Sequence, residues 1–389
     1  MKILMVVASY SPSFGGPTTV IKALTNELVK RGHEVSIYTS DNFDGSSRVQ
    51  ESGKTVEIDG VKVSYFKNIS NKLAYNHNIY ISPMLVKEAR NNLSNFDIIH
   101  FHGYRTIQNV IGHHYTKRYG IPYILQAHGS VLPLFQKQRL KKIFDIFFGY
   151  RMLRDASKVI ALTKTEVEQY KKMGVDGDKI EIVPNGIDLS EYENLPTRGE
   201  FRKKYSIKND EKIILYLGRI HKTKGIDLLV KAFADTSKEL NNVRLVLVGP
   251  DDGYQSALEE LIQSLKVDNK VLFTGFVSND EKMAAFVDAD VFITPSFSGF
   301  PVTFLEACAC GTPIITTNNG DELDWIYDKV GYVVEYDKDQ LRDAICKVLS
   351  DEGLRRIFGM EGKRLVRGEF GWEKIVRRLE RIYEDMGIE

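Results

Sequence analysis

Cysteine is scarce: Cys308, Cys310 and Cys346 are the only three in 389 residues. An odd count with one two-residue spacing supports neither a disulfide framework nor a four-ligand zinc site, and it fits a reducing compartment. Long apolar runs are missing too. Nothing reaches the roughly 18 uncharged apolar residues of a membrane span, and the opening MKILMVVASY is short enough to read as a buried strand rather than a leader. Net charge is almost absent, since 53 basic residues against 52 acidic leave +1. No overall field therefore draws the chain to nucleic acid, and no basic stripe interleaved with aromatics is found. The chain also lacks GxGxxG, which argues against nicotinamide or flavin binding.

What is present is a large apolar fraction, 43% with 11% aromatic, in a chain longer than one hydrophobic core supports. Two domains are expected. Short β-branched runs at Ile3–Ala8, Glu34–Ser40, Val61–Phe66, Ile98–Gly103, Tyr123–Gly129 and Lys158–Thr163 read as strands. Val20–Arg31 and Ser82–Leu93 have helical period between them. After a polar stretch around 191–200 a second series follows: Lys212–Gly218, Val243–Gly249, Lys270–Gly275, Val291–Ser296, Pro313–Asn318 and Gly331–Tyr336. The fold class is α/β, two Rossmann-like doubly wound parallel-sheet domains facing across a cleft. Ligands of such sheets bind beyond the carboxyl ends of the strands.

Three loops there carry chemistry. Gly15, Gly16 and Pro17 stand where the first strand gives way to a helix, and a helix amino terminus approached by bare backbone suits a phosphate; an unliganded tight turn is the plainer alternative. Arg219 and Lys224, in GRIHKTKG, flank a strand-to-helix turn. A fixed guanidinium and an ammonium stabilise a departing pyrophosphate without proton transfer, although a solvated basic loop looks the same in sequence. Glu306 is the one acid on the apolar helix of FLEACACGTPII. Burial demands a partner for it, which a ribose diol or a structural cation would supply, while N–H groups near Val302 and Thr303 could meet phosphate.

In this order, the GGP loop with the RGHEV helix end, VPNGID at 183–188, GRIHKTKG at 218–225 and FSGFPVTFLEACACGTPII make a combination far more specific than any one piece. It resembles, over nearly the full length, a retaining glycosyltransferase of family 4 with the GT-B fold, in the glycogen-, mannosyl- and glucosyltransferase-like group 1. The resemblance implies transfer of a sugar from a UDP- or GDP-linked donor to a glycan, lipid-linked or small-molecule acceptor, in cell-surface polysaccharide or glycolipid synthesis, without cofactor or metal. It implies that Gly15 and Gly16 with Arg219 and Lys224 hold the diphosphate and that Glu306 binds the ribose. Phe276 and Val277 would border the base, and Ser298, Gly299, Phe300, Val302 and Thr303 would line the donor pocket. His128, in LQAHGS, would lie beside the donor sugar and make a catalytic set with Arg219 and Lys224; on the acceptor side stand His102, Tyr104 and Arg105. One departure is visible: the family pattern has two glutamates separated by seven residues, and here the first position is Ser298. A serine there excludes that position as a covalent carboxylate nucleophile.

The expected domains are 1–188, with 373–389 packing back on it, and 189–372. The acceptor would belong to the first and the donor to the second, with two crossovers as a hinge. Asp288-Ala-Asp290 precedes a strand and reads as structural rather than as a metal motif. Asp251, Asp252 and the cysteine pair read likewise. The segment 134–158 holds seven Lys or Arg against two acids, with Leu140, Ile143, Phe144 and Phe147 at helical spacing. That pattern allows peripheral contact with the inner face of a membrane by an otherwise cytoplasmic protein, or an aromatic face packed on the sheet. The rivals in function are a GT-B nucleotide-sugar 2-epimerase and a non-catalytic two-lobed sugar-binding protein.

Overall fold

The computed structural model describes residues 1–11, 16–44, 46–77, 79–133, 137–297, 300–318 and 323–387. The chain divides into two compact units, Met1–Gly186 with Trp372–Glu389, and Ile187–Gly371.

The first unit is built on β1 (Lys2–Ser9), β2 (Glu34–Ser40), β3 (Thr55–Ile58), β4 (Val61–Phe66), β5 (Ile98–His102), β6 (Tyr123–Gln126), β7 (Lys158–Ala161) and β8 (Ile180–Ile182). They lie in the order β3-β4-β2-β1-β5-β6-β7-β8. All neighbours run parallel except β3, which lies antiparallel on β4. Sequence reading missed β3 although its signal was there: Asp59 and Gly60 both have positive φ, the requirement of a tight hairpin turn. It also missed the three-residue β8. Leu4, Val6, Ile99, Phe101, Leu125 and Val159 form the core on one face of this sheet, and Ile3, Met5 and Ile98 are buried on the other. The terminal helix Trp372–Asp385 belongs to this unit, where Glu380 pairs with Arg31 at 2.6 Å and with His33 at 2.9 Å.

The second unit has β9 (Lys212–Leu217), β10 (Val243–Val248), β11 (Val271–Gly275), β12 (Val291–Thr294), β13 (Ile314–Thr317) and β14 (Gly331–Val334), ordered β11-β10-β9-β12-β13-β14 with every pairing parallel. Successive side chains along these strands are buried on opposite faces of the sheet. Ile213, Leu215, Val246 and Phe292 pack under helices Asn279–Asp288 and Val302–Cys310. Ile214, Leu245, Leu247 and Ile293 pack under Ile226–Glu239 and Lys338–Ser350. Each such side chain contributes about 1.5–3 kcal/mol on burial, which is why strands covered on both faces read as continuous apolar runs.

Several strands end one to three residues before the sequence expectation. Gly103, Gly129, Gly218 and Gly249 adopt positive φ and turn the chain out of the sheet there. The turns at Gly103, Gly129 and Gly218 adjoin residues that sequence reading assigned to a site: His102, Tyr104 and Arg105, then His128, then Arg219.

Candidate functional site

In the first unit, β1 leads to the helix Gly16–Lys30, so the Gly16 backbone opens that helix. Gly15 lies outside the described residues. Two strands away, His128 follows β6 in a left-handed conformation, φ +51°. The turn is held by one helix: Glu166 accepts from Gly129 N at 2.7 Å and from Leu162 N at 2.7 Å. Tyr170, one helical turn on, accepts from Ala127 N at 3.0 Å. Neither residue was singled out from sequence. Their signal was a capped helix, KTEVEQYKK, directly after β7.

His100 and His102 alternate along β5 and share a face, as period two requires. Their rings stack at 4.2 Å, and the His102 and His128 rings stack at 5.2 Å. His102 Nδ1 lies 2.9 Å from His128 Nε2, and His100 Nδ1 lies 3.1 Å from the Tyr383 hydroxyl. One polar chain thus runs from the terminal helix to the His128 turn. Burial drives the three imidazoles down, His100 to about 3 and His128 to about 4, with His102 well below the ordinary value. All three are neutral at pH 7.

This has a consequence for stability. Above about pH 6.5 folded and unfolded chains alike hold these rings neutral. As pH falls from about 6.5 towards 4, the unfolded chain gains protons that the folded chain refuses, so stability drops through that window by up to about 1.4 kcal/mol per unit for each ring. Denaturant titrations at about pH 7, 6 and 5 are expected to show a falling midpoint, and His100→Gln to flatten the fall. An unchanged slope in that variant would show the chain of rings does not govern it.

The expected acceptor-side residues other than His102 are placed differently. Tyr104 is 1% exposed and belongs to the core, with the Arg105 guanidinium 4.5 Å over its ring. Arg105 itself donates to both carboxylate oxygens of Asp145, at 2.9 and 2.7 Å, and to the carbonyls of Ser130 and Val131. Both side chains are committed internally, because a buried carboxylate such as Asp145 demands a cation.

In the second unit the strand ends are knitted together by their glycines. Gly218 N donates to Val248 O and Gly249 N to Gly275 O, each at 2.9 Å. Ile220 N donates to Pro250 O at 2.9 Å. Arg219 emerges from this seam with its side chain 65% exposed, its Nη1 2.6 Å from Asp252 Oδ2. Lys224 ends a short 3-10 turn, Lys222–Lys224, before the helix Ile226–Glu239. Burial, then the charge of Arg219, holds its ammonium below the usual lysine value. Among the described residues no carboxylate pairs with Lys224. Two cations that repel each other, one of them half-buried and without an acid, make a place where a polyanion gains on both.

Phe276 follows β11 with its ring 82% exposed, and Val277 beside it packs on the core. From β12, the next strand to β9, the chain passes Pro295 towards the helix Val302–Cys310; a Cβ on Gly225 would stand 3.1 Å from Pro295 Cβ, so the Lys224 turn and this loop adjoin. Val302 and Thr303 begin that helix. Ser298 and Gly299 lie outside the described residues. Phe300 stacks on Trp325 at 5.8 Å and meets Phe370 at 5.5 Å, which leaves its backbone rather than its ring for a ligand. Glu306 is not an unpaired acid: Lys282 Nζ lies 2.6 Å from its Oε1, and the Tyr192 hydroxyl is 3.5 Å from the same oxygen. Lys282, on the helix after Val277, was missed; a lone lysine on a polar helix gives no sequence signal.

The carboxylates suspected of mimicking a metal motif are spent on structure. Asp288 accepts from Gly199 N and Arg202 N, and Asp290 accepts from Ile213 N and pairs with Arg202. Asp251 closes the turn that leads into the helix Gln255–Ser264, accepting from the N–H groups of Gly253, Tyr254 and Gln255. Cys308 and Cys310 are buried, which pushes their thiols up to about 12. A hollow of about 840 Å³ lined by Arg202, Lys212, Asp290 and Arg355 sits at the amino ends of β9 and β12, the opposite end of the sheet from Arg219. Arg202 and Arg355 donate there to backbone carbonyls, so it is not taken as the site.

Two family models match the chain, Glycosyltransferase Family 4 over residues 14–191 and Glycosyl transferases group 1 over 197–365. Among similar proteins, the α-monoglucosyldiacylglycerol synthase of Streptococcus pneumoniae is 29% identical, over 90% of this chain and 78% of that one. The N-acetyl-α-D-glucosaminyl L-malate synthase of Bacillus anthracis is 28% identical over 99% and 98%. In fold, the sucrose-phosphate synthase of Thermosynechococcus elongatus superposes with a TM-score of 0.79 at 22% identity, covering 99% of each chain. With both halves matched in order and a Rossmann-like, mainly parallel sheet in each unit, the chain belongs to the group 1, family 4 glycosyltransferases.

Proposed function

We propose that this glycosyltransferase takes its sugar from a nucleotide-diphosphate donor, UDP- or GDP-linked, and transfers it with retention of anomeric configuration and without a metal ion. The acceptor is a glycan, lipid-linked or small molecule of cell-surface polysaccharide or glycolipid synthesis; the names of the relatives span a diacylglycerol and L-malate, which leaves its class open. The observation that carries the reading is the pair Arg219 and Lys224 at the carboxyl end of β9, with Lys224 unmatched by any acid among the described residues.

When the glycosidic bond to phosphate breaks, charge grows on the leaving diphosphate. Arg219 offers a planar fork of donors and Lys224 a compact ammonium, and both gain most when that charge is largest. Glu306, turned by its Lys282 contact, would accept from the ribose hydroxyls, with Phe276 and the Val277 backbone at the base. Retention is assigned to front-face attack, in which the departing phosphate takes the acceptor proton. Ser298 supplies no carboxylate for a covalent intermediate at its position. His128, neutral at pH 7, would donate or accept one hydrogen bond at the sugar, its turn fixed by Glu166.

The test is a panel of UDP-, GDP- and ADP-sugars scored for thermal stabilisation and nucleotide release, with and without chelator. A bound donor at about 100 times its Kd stabilises by roughly 2.7 kcal/mol. Stabilisation by one base class, undiminished by chelator, is expected. No response to any nucleotide sugar would refute the donor class, and loss of release on chelation would refute metal independence.

A further inference from the structure

Among the described residues, six of the twelve exposed large apolar side chains of the first unit fall on one helical run. Gln138–Phe144, a π turn at Asp145–Gly149 and Tyr150–Asp155 follow one another with right-handed helical backbone at both junctions. Leu140, Ile143, Phe147 and Tyr150 succeed one another at helical spacing, 64, 51, 63 and 48% exposed. Ile146 and Phe148 beside them are 65 and 45% exposed. The opposite side, with Asp145, Gly149, Met152 and Leu153, is buried. Of the two readings the sequence left open, an aromatic face packed on the sheet is therefore not what the fold shows. Scattered exposed apolar residues are ordinary, but six large ones within eleven positions are not.

The surroundings decide what such a face meets. Arg139, Lys142, Arg151 and Arg154 are exposed along the same run. Its two acids are unavailable, Asp145 held by Arg105 at 2.7 Å and Asp155 by His113 at 3.1 Å. Lys137 Nζ lies 3.0 Å from His77 Nδ1, which brings the helix Asn71–His77, with Leu73 40% exposed, beside the start of the run. Apolar side chains long enough to reach the acyl boundary, bordered by cations with no exposed carboxylate, match an anionic lipid surface in both layers of its chemistry.

We propose that residues 138–154 dock this unit on an anionic lipid bilayer, so that its acceptor is lipid-linked; the acceptor clause rests on the glycosyl transfer reading, the docking clause does not. Docking reaches the His128 turn through a single side chain. The Arg105 guanidinium that holds Asp145 also donates to the carbonyls of Ser130, at 2.5 Å, and Val131, at 2.9 Å, two and three residues past His128.

The experiment is co-sedimentation of the full chain with vesicles of phosphatidylcholine alone and of phosphatidylcholine with phosphatidylglycerol, at low and high salt. Wild type should bind the anionic vesicles at least tenfold more tightly than the neutral ones, and lose part of that in salt. The double substitution Ile146→Ser with Phe147→Ser, and separately Arg139→Glu with Lys142→Glu, should each weaken binding about tenfold or more. These side chains stand in water, so both variants should keep the wild-type melting temperature and donor-induced stabilisation. Equal binding to neutral and anionic vesicles, or wild-type binding by the serine variant, overturns the proposal. So does concentration-dependent dimerisation that the serine variant abolishes, which would make the face a contact between copies. Wild-type protein that binds the anionic vesicles as expected but shows no stabilisation by any nucleotide sugar would count against the glycosyl transfer reading instead.

Discussion

Replacing Arg219 by alanine is expected to lower turnover by about 10²–10³-fold while leaving the fold intact, as loss of one preorganised charge-stabilising donor does elsewhere. The fold should survive because the side chain is 65% exposed and, among the described residues, makes one ion pair, with Asp252; such surface pairs contribute roughly 1 kcal/mol or less. The rate should not survive if, as proposed, the guanidinium meets the growing diphosphate charge, because Lys224 alone presents a point charge without the fork. Arg219→Lys should recover only part of the loss. Asp252→Asn is the informative control: it frees the guanidinium without removing it, so turnover should stay within about tenfold of wild type. Steady-state rates under saturating donor, with melting curves for each variant, check this. Wild-type turnover in Arg219→Ala would remove Arg219 from the chemistry.

Gly249→Ala is expected to be the most damaging change of a single atom near the site. Gly249 has φ +139°, and a Cβ there would stand 2.0 Å from the carbonyl oxygen of Gly218 and 3.5 Å from Arg219 N. Neither neighbour is a flexible side chain. The strained backbone alone costs about 1–3 kcal/mol, and relief of the clash must move the Gly218–Arg219 peptide, which sets the direction of the guanidinium. A lower melting temperature and a turnover loss of more than tenfold in the fraction that remains folded should appear together. Gly253→Ala, in the same loop with no atom within 4 Å of the added Cβ, serves as the comparison for loss of glycine alone. If Gly249→Ala retains both stability and turnover, the seam between β9 and β10 does not hold Arg219.

The fold was readable where burial dictates residue type. Runs such as KIILYL and VRLVLV are apolar on both faces because helices cover both, and their shortness and β-branched content set them apart from buried helices. Strand ends were less readable, because where a glycine leaves the sheet depends on φ and not on hydrophobicity. β3 was missed because its burial is shallow, although Asp59-Gly60 announced the turn. At the candidate site, Arg219 and Lys224 stood out through the ordered company of motifs around them, since a solvated basic loop looks the same in isolation. Their neighbours were harder. Asp252 looked like a loop acid, Lys282 and Glu166 like ordinary helix surface, yet each holds a group of the site. Tyr104 and Arg105 misled in the opposite sense: a polar pair after a strand looks free until the buried Asp145, forty residues on, claims the guanidinium.

The central claim is that Arg219 and Lys224 together recognise a diphosphate, and its most direct measurement is calorimetric binding of a nucleoside diphosphate and of the matching nucleoside to wild type and to Lys224→Ala. Wild type should bind the diphosphate at least a hundredfold more tightly than the nucleoside, and the variant should lose most of that advantage while its nucleoside affinity stays put. An advantage that is unchanged in the variant, or absent in wild type, would contradict the assignment.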